Sequence, residues 1–199
     1  MLVHLNSANF AANFLKYIDQ DPVHDLTGRR DLTRRCQRDR NIFFKLENDQ
    51  PVAVLCVAYT HGLVDNIDQI LDCDSPADLD VDHAIFYSVF RTDAPCTMRN
   101  AGAALIREAG ALIKATRPEI TNFVTMSPIP DLSSHFAQAP DSETVMNFVQ
   151  AKKDPVARFH RANGATVHRV IPNADNSAKR QAQSYGWMVN YRYTIGQQQ

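Results

Sequence analysis

Apolar positions along the chain follow two periods, and the central stretch shows both in succession. Ala84-Ile85-Phe86-Tyr87-Ser88-Val89-Phe90 is short, apolar and rich in aromatic and β-favouring residues, so it predicts a strand. The strand ends in the polar segment Arg91-Thr92-Asp93-Ala94-Pro95, where proline cannot donate to a central ladder. Asn100 is placed to cap a helix running to about Thr116, and Arg117-Pro118 ends it. Within that helix Ala101, Leu105, Ala109, Leu112 and Ile113 share one face at spacings of three and four. Residues 121–126 read as the next strand, which runs into Ser127-Pro128-Ile129-Pro130.

On either side the pattern is less regular. Phe10, Phe14, Leu15 and Ile18 predict a helix over residues 8–19, ahead of a break at Asp21-Pro22. Residues 27–39 predict a second helix, carrying Arg29, Arg30, Arg34, Arg35 and Arg38 and followed by Arg40. Two readings of this arginine run stand side by side: a solvated face balanced by nearby acids, or a grip on an anionic ligand. Strands are expected at 42–46 and 51–60, joined by the loop Glu47-Asn48-Asp49-Gln50. The second strand has an unbroken apolar centre, as for a strand covered on both faces. Leu63, Ile67, Ile70 and Leu71 suggest a helix, followed by an acidic connector over 72–82. Residues 131–141 read as a polar loop and 143–149 as a turn or two of helix. Asp154-Pro155 is a helix start, with aspartate as cap and proline first, and Gly164 a left-handed stop. Strands at 165–171 and 187–194 flank a polar loop, and Gln197-Gln198-Gln199 reads as a frayed tail. The fold class expected is α/β (α+β): one domain over 1–199, a mixed sheet with helices on both faces, and a right-handed crossover at its centre.

Charge narrows the function classes. A formal net charge of −1 supplies no field for nucleic acid or anionic lipid, and no window reaches a membrane span. The four cysteines show no Cys-x-x-Cys spacing, so no zinc site or dithiol motif is expected, and Cys56 reads as a buried small side chain. The start of the chain lacks the layout of a secretion signal, and a reducing, cytoplasmic setting is expected. The turn before the central helix has a chemical use, because the first N–H groups of a helix suit a phosphate or pyrophosphate. Arg99, Asn100, Ala101, Gly102 and Arg107 are the candidate ligand-binding residues there, with glycine allowing close approach and the arginines adding charge.

Six segments then carry a resemblance. They are Asp21-Pro22-Val23-His24-Asp25-Leu26, Val57-Ala58-Tyr59-Thr60, Ala84-Ile85-Phe86-Tyr87-Ser88, Thr125-Met126-Ser127-Pro128-Ile129-Pro130, the run from Asp154 to Ala165, and the run from Gly186 to Tyr193. In this order they resemble the signature segments of malonyl-CoA decarboxylases, whose fold is that of the GCN5-related N-acetyltransferases. The resemblance implies a catalytic pair, Ser127 and His160, and conversion of malonyl-CoA to acetyl-CoA and carbon dioxide without metal or organic cofactor. Coenzyme A then enters only as part of the substrate. Members of that family also have a helical N-terminal domain, which this chain is expected to lack, and a long insert between the serine and histidine segments. Here that insert is replaced by residues 131–153, and the turn before the central helix is not glycine-rich. A substituted or carrier-protein-bound malonyl group therefore stays open beside malonyl-CoA.

Loss of carbon dioxide from a malonyl thioester leaves an enolate, which backbone N–H groups at a strand irregularity near the end of the strand 84–90 are expected to stabilise. Ser127 would hold the leaving carboxylate, and His160, with an ordinary pKa near 6.5, would protonate the enolate carbon. Tyr87, Asn163 and Tyr191 are candidates for orienting the pair or the substrate, or alternatively for packing and capping. No Gly-x-Ser-x-Gly elbow surrounds Ser127, which argues against a serine hydrolase. An acyltransferase of the same fold and a non-catalytic acyl-CoA-binding protein remain the alternatives.

Overall fold

The strand Gln50–Thr60 is buried along nearly its whole length and anchors one half of the molecule. A computed structural model describes residues 1–5, 14–24, 28–37, 39–72 and 80–196. These fall into two compact units, one formed by the described residues of 1–63, 71–123 and 195–199 and the other by 64–70 and 124–194.

In the first unit four antiparallel strands stand side by side: β1 (Leu2–Leu5), β2 (Arg40–Glu47), β3 (Gln50–Thr60) and β4 (His83–Arg91). The β2–β3 connection is tighter than the four-residue loop expected. Asn48 and Asp49 alone form the turn, with φ of 50° and 60°, and positive φ at both central residues matches the right-handed twist of a hairpin. β1 was not expected from the sequence; its residues pair with β2 from Leu2 opposite Lys45 to Leu5 opposite Ile42.

Both faces of this sheet are covered, because neighbouring residues of a strand point to opposite sides. Phe44 packs on Phe14 at the start of α1 (Leu15–Ile18), with ring centroids 4.7 Å apart. Lys45 instead pairs with Glu108 of α4 (Ala101–Thr116). The inner face of α4 is Ala101, Ala103, Leu105, Ile106, Ala109, Gly110 and Ile113, with Leu112 at its margin. Thr116 and the break at Arg117 fall where expected, but Asn100 makes no side-chain capping bond.

The arginine run resolves into neither of its two expected readings at Arg35. α2 (Arg29–Arg35) directs this side chain inward, 1% exposed, onto Asp21 and Asp31 at 3.0 Å each and the His24 carbonyl at 2.9 Å. Asp21 in turn accepts the backbone N–H groups of Val23 and His24 and the Ser88 hydroxyl. Arg35 is therefore an internal cross-link from α2 to the Asp21 turn, and through Asp21 to β4. The remainder of the helix expected over 8–19, residues 25–27, Arg38, most of the acidic connector and the tail 197–199 lie outside the described residues.

In the second unit β8 (Met188–Tyr193) pairs antiparallel with β7 (Thr166–Ile171) on one side and β6 (Ser127–Pro128) on the other. β5 (Asn122–Thr125), whose last two residues belong to this unit, precedes β6 and is separated from it by Met126. The helices are α5 (Leu132–His135), α6 (Ser142–Gln150), α7 (Pro155–Ala162) and α8 (Ala178–Ser184). Two segments read as polar loops thus contain helices, α5 in 131–141 and α8 between the last strands. The helix expected over 63–71 shrinks to the single turn α3 (Asp68–Leu71). Asn66 accepts the Asp68 N–H, Gln69 accepts those of Asp65 and Asn66, and Ile67 donates to the Ala174 carbonyl. These bonds outcompete helix extension, as short polar side chains commonly do.

Candidate active site

The second unit brings Ser127 and His160 together. α7 starts at Asp154, whose Oδ1 accepts the N–H groups of Val156 and Ala157, and Pro155 occupies its first position. It stops at Gly164, whose φ of 85° is open to glycine at no steric cost. Along its inner face Ala157 and His160, three apart, are buried. The imidazole stacks on Tyr191, with centroids 4.6 Å apart and planes at 24°, and meets Tyr193 edge-on. Tyr191 and Tyr193 share one face of β8 because side chains two apart do so.

Ser127 lies on β6 opposite Val189 of β8, and its Oγ is 3.1 Å from His160 Nε2. His160 Nδ1 is 2.8 Å from the Tyr193 hydroxyl. On its other side the Ser127 hydroxyl meets Thr125 Oγ1 at 2.8 Å, and Thr125 Oγ1 also accepts the Tyr191 N–H at 3.1 Å. The Thr125 carbonyl accepts from Asn190 Nδ2, and Asn190 Oδ1 accepts from Arg169 Nε at 2.7 Å. Arg169 itself is fixed by Asp65 and the Val64 carbonyl, each at 2.7 Å. The row Thr125, Ser127, His160, Tyr193 is therefore continuous and held from behind.

The pair is nearly sealed, with Ser127 5% and His160 2% exposed. Burial pushes the His160 pKa down to about 3, because the charged form would lose its hydration without gaining a carboxylate. The expectation of an ordinary imidazole near 6.5 is corrected here: the ring is neutral throughout the physiological range. Burial likewise raises the Asp154 carboxyl despite its backbone hydrogen bonds. Its second oxygen accepts the Asp131 N–H at 3.1 Å, so one carboxylate ties the chain just after Ser127 to the start of the helix carrying His160.

Of the other candidates, Tyr191 stacks directly on His160, while the Asn163 side chain donates to the Phe159 carbonyl and closes the end of α7. Tyr87 belongs to the first unit, buried in β4. It is the extra residue where the β3–β4 register shifts, since Cys56 faces Ser88 and Val57 faces Phe86. In the β3–β4 pairing the register shift falls at the middle of the strand, and that pairing is regular toward Arg91. Cys56 is buried in β3 as expected. At the start of α4, Arg99, Asn100 and Arg107 are exposed, Gly102 half-buried and Ala101 buried. The turn before it is held by Glu47, which accepts the Thr97 hydroxyl and N–H at 2.6 and 2.8 Å. Among the described residues no three His, Cys, Asp or Glu side chains form a candidate metal site, and no helix is long and apolar enough to cross a membrane.

Sequence reasoning missed Tyr193, Thr125 and Asn190. Two of them carried a usable signal: Tyr193 is two residues beyond Tyr191 and Thr125 two before Ser127, so period-2 alternation puts each on the face of a named candidate.

The chain matches the malonyl-CoA decarboxylase C-terminal domain family over residues 3–154 and 142–198. It is 24% identical to mitochondrial malonyl-CoA decarboxylase of Mus musculus over 248 residues, covering 90% of this chain and 50% of that protein. The chain thus spans about half the length of the curated relatives it matches. The crystal structure of malonyl-CoA decarboxylase from Agrobacterium vitis is 25% identical, with a TM-score of 0.80 over 98% of this chain and 60% of that one. A GNAT-like decarboxylase, GphF, solved with isobutyryl-CoA, shares the fold at 18% identity and a TM-score of 0.69, over 97% of this chain and 98% of that one. The fold is therefore the mixed α/β architecture of GNAT-like proteins, and the chain belongs to the malonyl-CoA decarboxylase C-terminal domain family.

Proposed function

We propose that this protein removes carbon dioxide from malonyl-CoA or a related malonyl thioester, giving acetyl-CoA, with Ser127 and His160 as the reacting pair. The observation that carries the reading is the 3.1 Å contact between Ser127 Oγ and His160 Nε2 in a chain of this family. In the reaction the bond from the α-carbon to the carboxylate breaks, and its electron pair passes into the thioester as an enolate. The α-carbon then takes one proton. The Ser127 hydroxyl holds the departing carboxylate with that bond out of the thioester plane, a positioning role. His160 delivers the proton from neutral imidazole, which suffices because an enolate carbon is a far stronger base than imidazolate. Tyr193, against Nδ1, is placed to return a proton as Nε2 gives one up. The surroundings of Ser127 and His160 give way when substrate enters, since so little of either is exposed.

No step calls for a metal or an organic cofactor; coenzyme A is the substrate's handle. In the first unit the N-terminus of α4 takes the handle's pyrophosphate, through the N–H groups near Asn100, Ala101 and Gly102 with charge from Arg99 and Arg107. Exposure of both arginines favours this, and neither makes an ion pair among the described residues.

Incubation with malonyl-CoA should yield acetyl-CoA and carbon dioxide in equal amounts, followed by mass spectrometry; free coenzyme A as the main product would point to acyl transfer instead. Arg99→Ala should raise KM for malonyl-CoA about tenfold at unchanged kcat, the effect of one charge-assisted contact. An unchanged KM would remove Arg99 from the phosphate site.

A further inference from the structure

We infer that Thr125 is a positioning residue that sets the tautomer of His160, by accepting the Ser127 proton and so keeping the imidazole proton on Nε2. This rests on the reading of Ser127 and His160 as the reacting pair and specifies how that pair is prepared before substrate arrives.

A hydroxyl has one proton and two lone pairs, so Ser127 donates either to Thr125 or to His160, not to both. Thr125 is fully buried, its carbonyl fixed by Asn190 and its Oγ1 already receiving the Tyr191 N–H. Among the described residues, the one carbonyl within its own reach is that of Val189, at 3.5 Å. With its proton pointed there, Oγ1 presents a lone pair to Ser127 at 2.8 Å. Ser127 then presents a lone pair to His160, which fills it with Nε2–H at 3.1 Å. Nδ1 is left bare and accepts the Tyr193 O–H at 2.8 Å. In this sense Thr125 also makes its bond to the Val189 carbonyl, which the reverse sense, with the Thr125 proton turned to Ser127, would leave unmade.

The sense has a chemical consequence. The proton that must reach the substrate carbon already sits on the nitrogen facing Ser127, and the opposite nitrogen faces a hydroxyl able to replace it. When the substrate carboxylate draws the Ser127 proton toward itself, Nε2–H is released for transfer. Without the Thr125 hydroxyl, the Ser127 proton turns to Nε2, the imidazole proton moves to Nδ1, and the nitrogen facing the substrate is empty.

The test is nitrogen NMR of the full chain labelled at histidine, with the His160 signals identified by their loss in His160→Gln. Wild type should show protonated Nε2 and bare Nδ1, Thr125→Val the reverse, and Thr125→Ser the wild-type pattern. In parallel, Thr125→Val should lower kcat for malonyl-CoA about tenfold with KM unchanged, and Thr125→Ser should restore it. A protonated Nδ1 in wild type, an unchanged tautomer in Thr125→Val, or failure of Thr125→Ser to restore it would overturn the inference. The tautomer is read without substrate. A wild-type protein that leaves malonyl-CoA intact would therefore sink the proposed reaction while leaving the assignment of the hydrogen-bond row to stand on its own measurement.

Discussion

His160→Ala is expected to lower kcat for malonyl-CoA by about 10²–10⁴-fold, the usual worth of a positioned proton donor. KM should change much less, because the thioester's handle is bound elsewhere in this reading. His160→Gln separates the proton from the space: its amide can still meet Ser127 and fill part of the imidazole site, yet it cannot pass a proton through. Equal turnover in either variant would end the assignment. The same residue makes an acid-side prediction. Burial depresses its folded pKa to about 3, below the 6.5 of the free side chain, so between these values the unfolded chain binds the proton and the folded one does not. The contribution to stability is whole above about pH 6.5 and is lost by a few kcal/mol as the pH falls toward 3. A wild-type chain in which the His160 ring titrates near 6.5 by NMR would contradict this account of its environment, and kcat should likewise lack an inflection there.

Arg35→Met should destabilise the fold by about 3–5 kcal/mol, because it removes one partner of a buried ion pair and leaves the other. Asp21 is 5% exposed, and its Oδ2 would face the vacated space with no cation. Against a total stability of about 5–15 kcal/mol, this places the variant near its unfolding threshold. Arg35→Lys should recover little, since one ammonium cannot reach Asp21, Asp31 and the His24 carbonyl together as the planar fork does. Urea unfolding gives the measurement, and a loss below about 1 kcal/mol for Arg35→Met would overturn Arg35 as the cross-link that the fold depends on here.

These two sites also show how far the sequence could be read. Ser127 and His160 are thirty-three positions apart, and no periodicity connects them; the resemblance of two short segments did. Elements with strong local signals were legible: β3 from its apolar run, α4 from one apolar face, α7 from Asp154-Pro155 and Gly164. Elements whose reasons are tertiary were not. α8 is polar along most of its length and is held by Ser177 at its start and the buried Arg180 and Ser184 on its inner side. The inward turn of Arg35 is in neither reading of the arginine run, a solvated face or an anion grip, because its partner Asp21 comes fourteen residues earlier and on no shared face. The neutrality of His160 depends on Tyr191 and Tyr193 closing over it from β8, an effect invisible at the histidine itself.

The carboxylate of Asp154 has a last implication, for evolution rather than chemistry. By fastening the backbone of Asp131 to the head of the following helix, it works as a staple at the neck of a side branch. Whatever lies between the two ends can lengthen or shrink with only a slow rise in closure entropy, while the stapled neck stays the same. The family match breaks into two overlapping pieces at residues 142–154, within this branch. Relatives that carry extra chain at this point would then differ in what the branch reaches and keep the same neck.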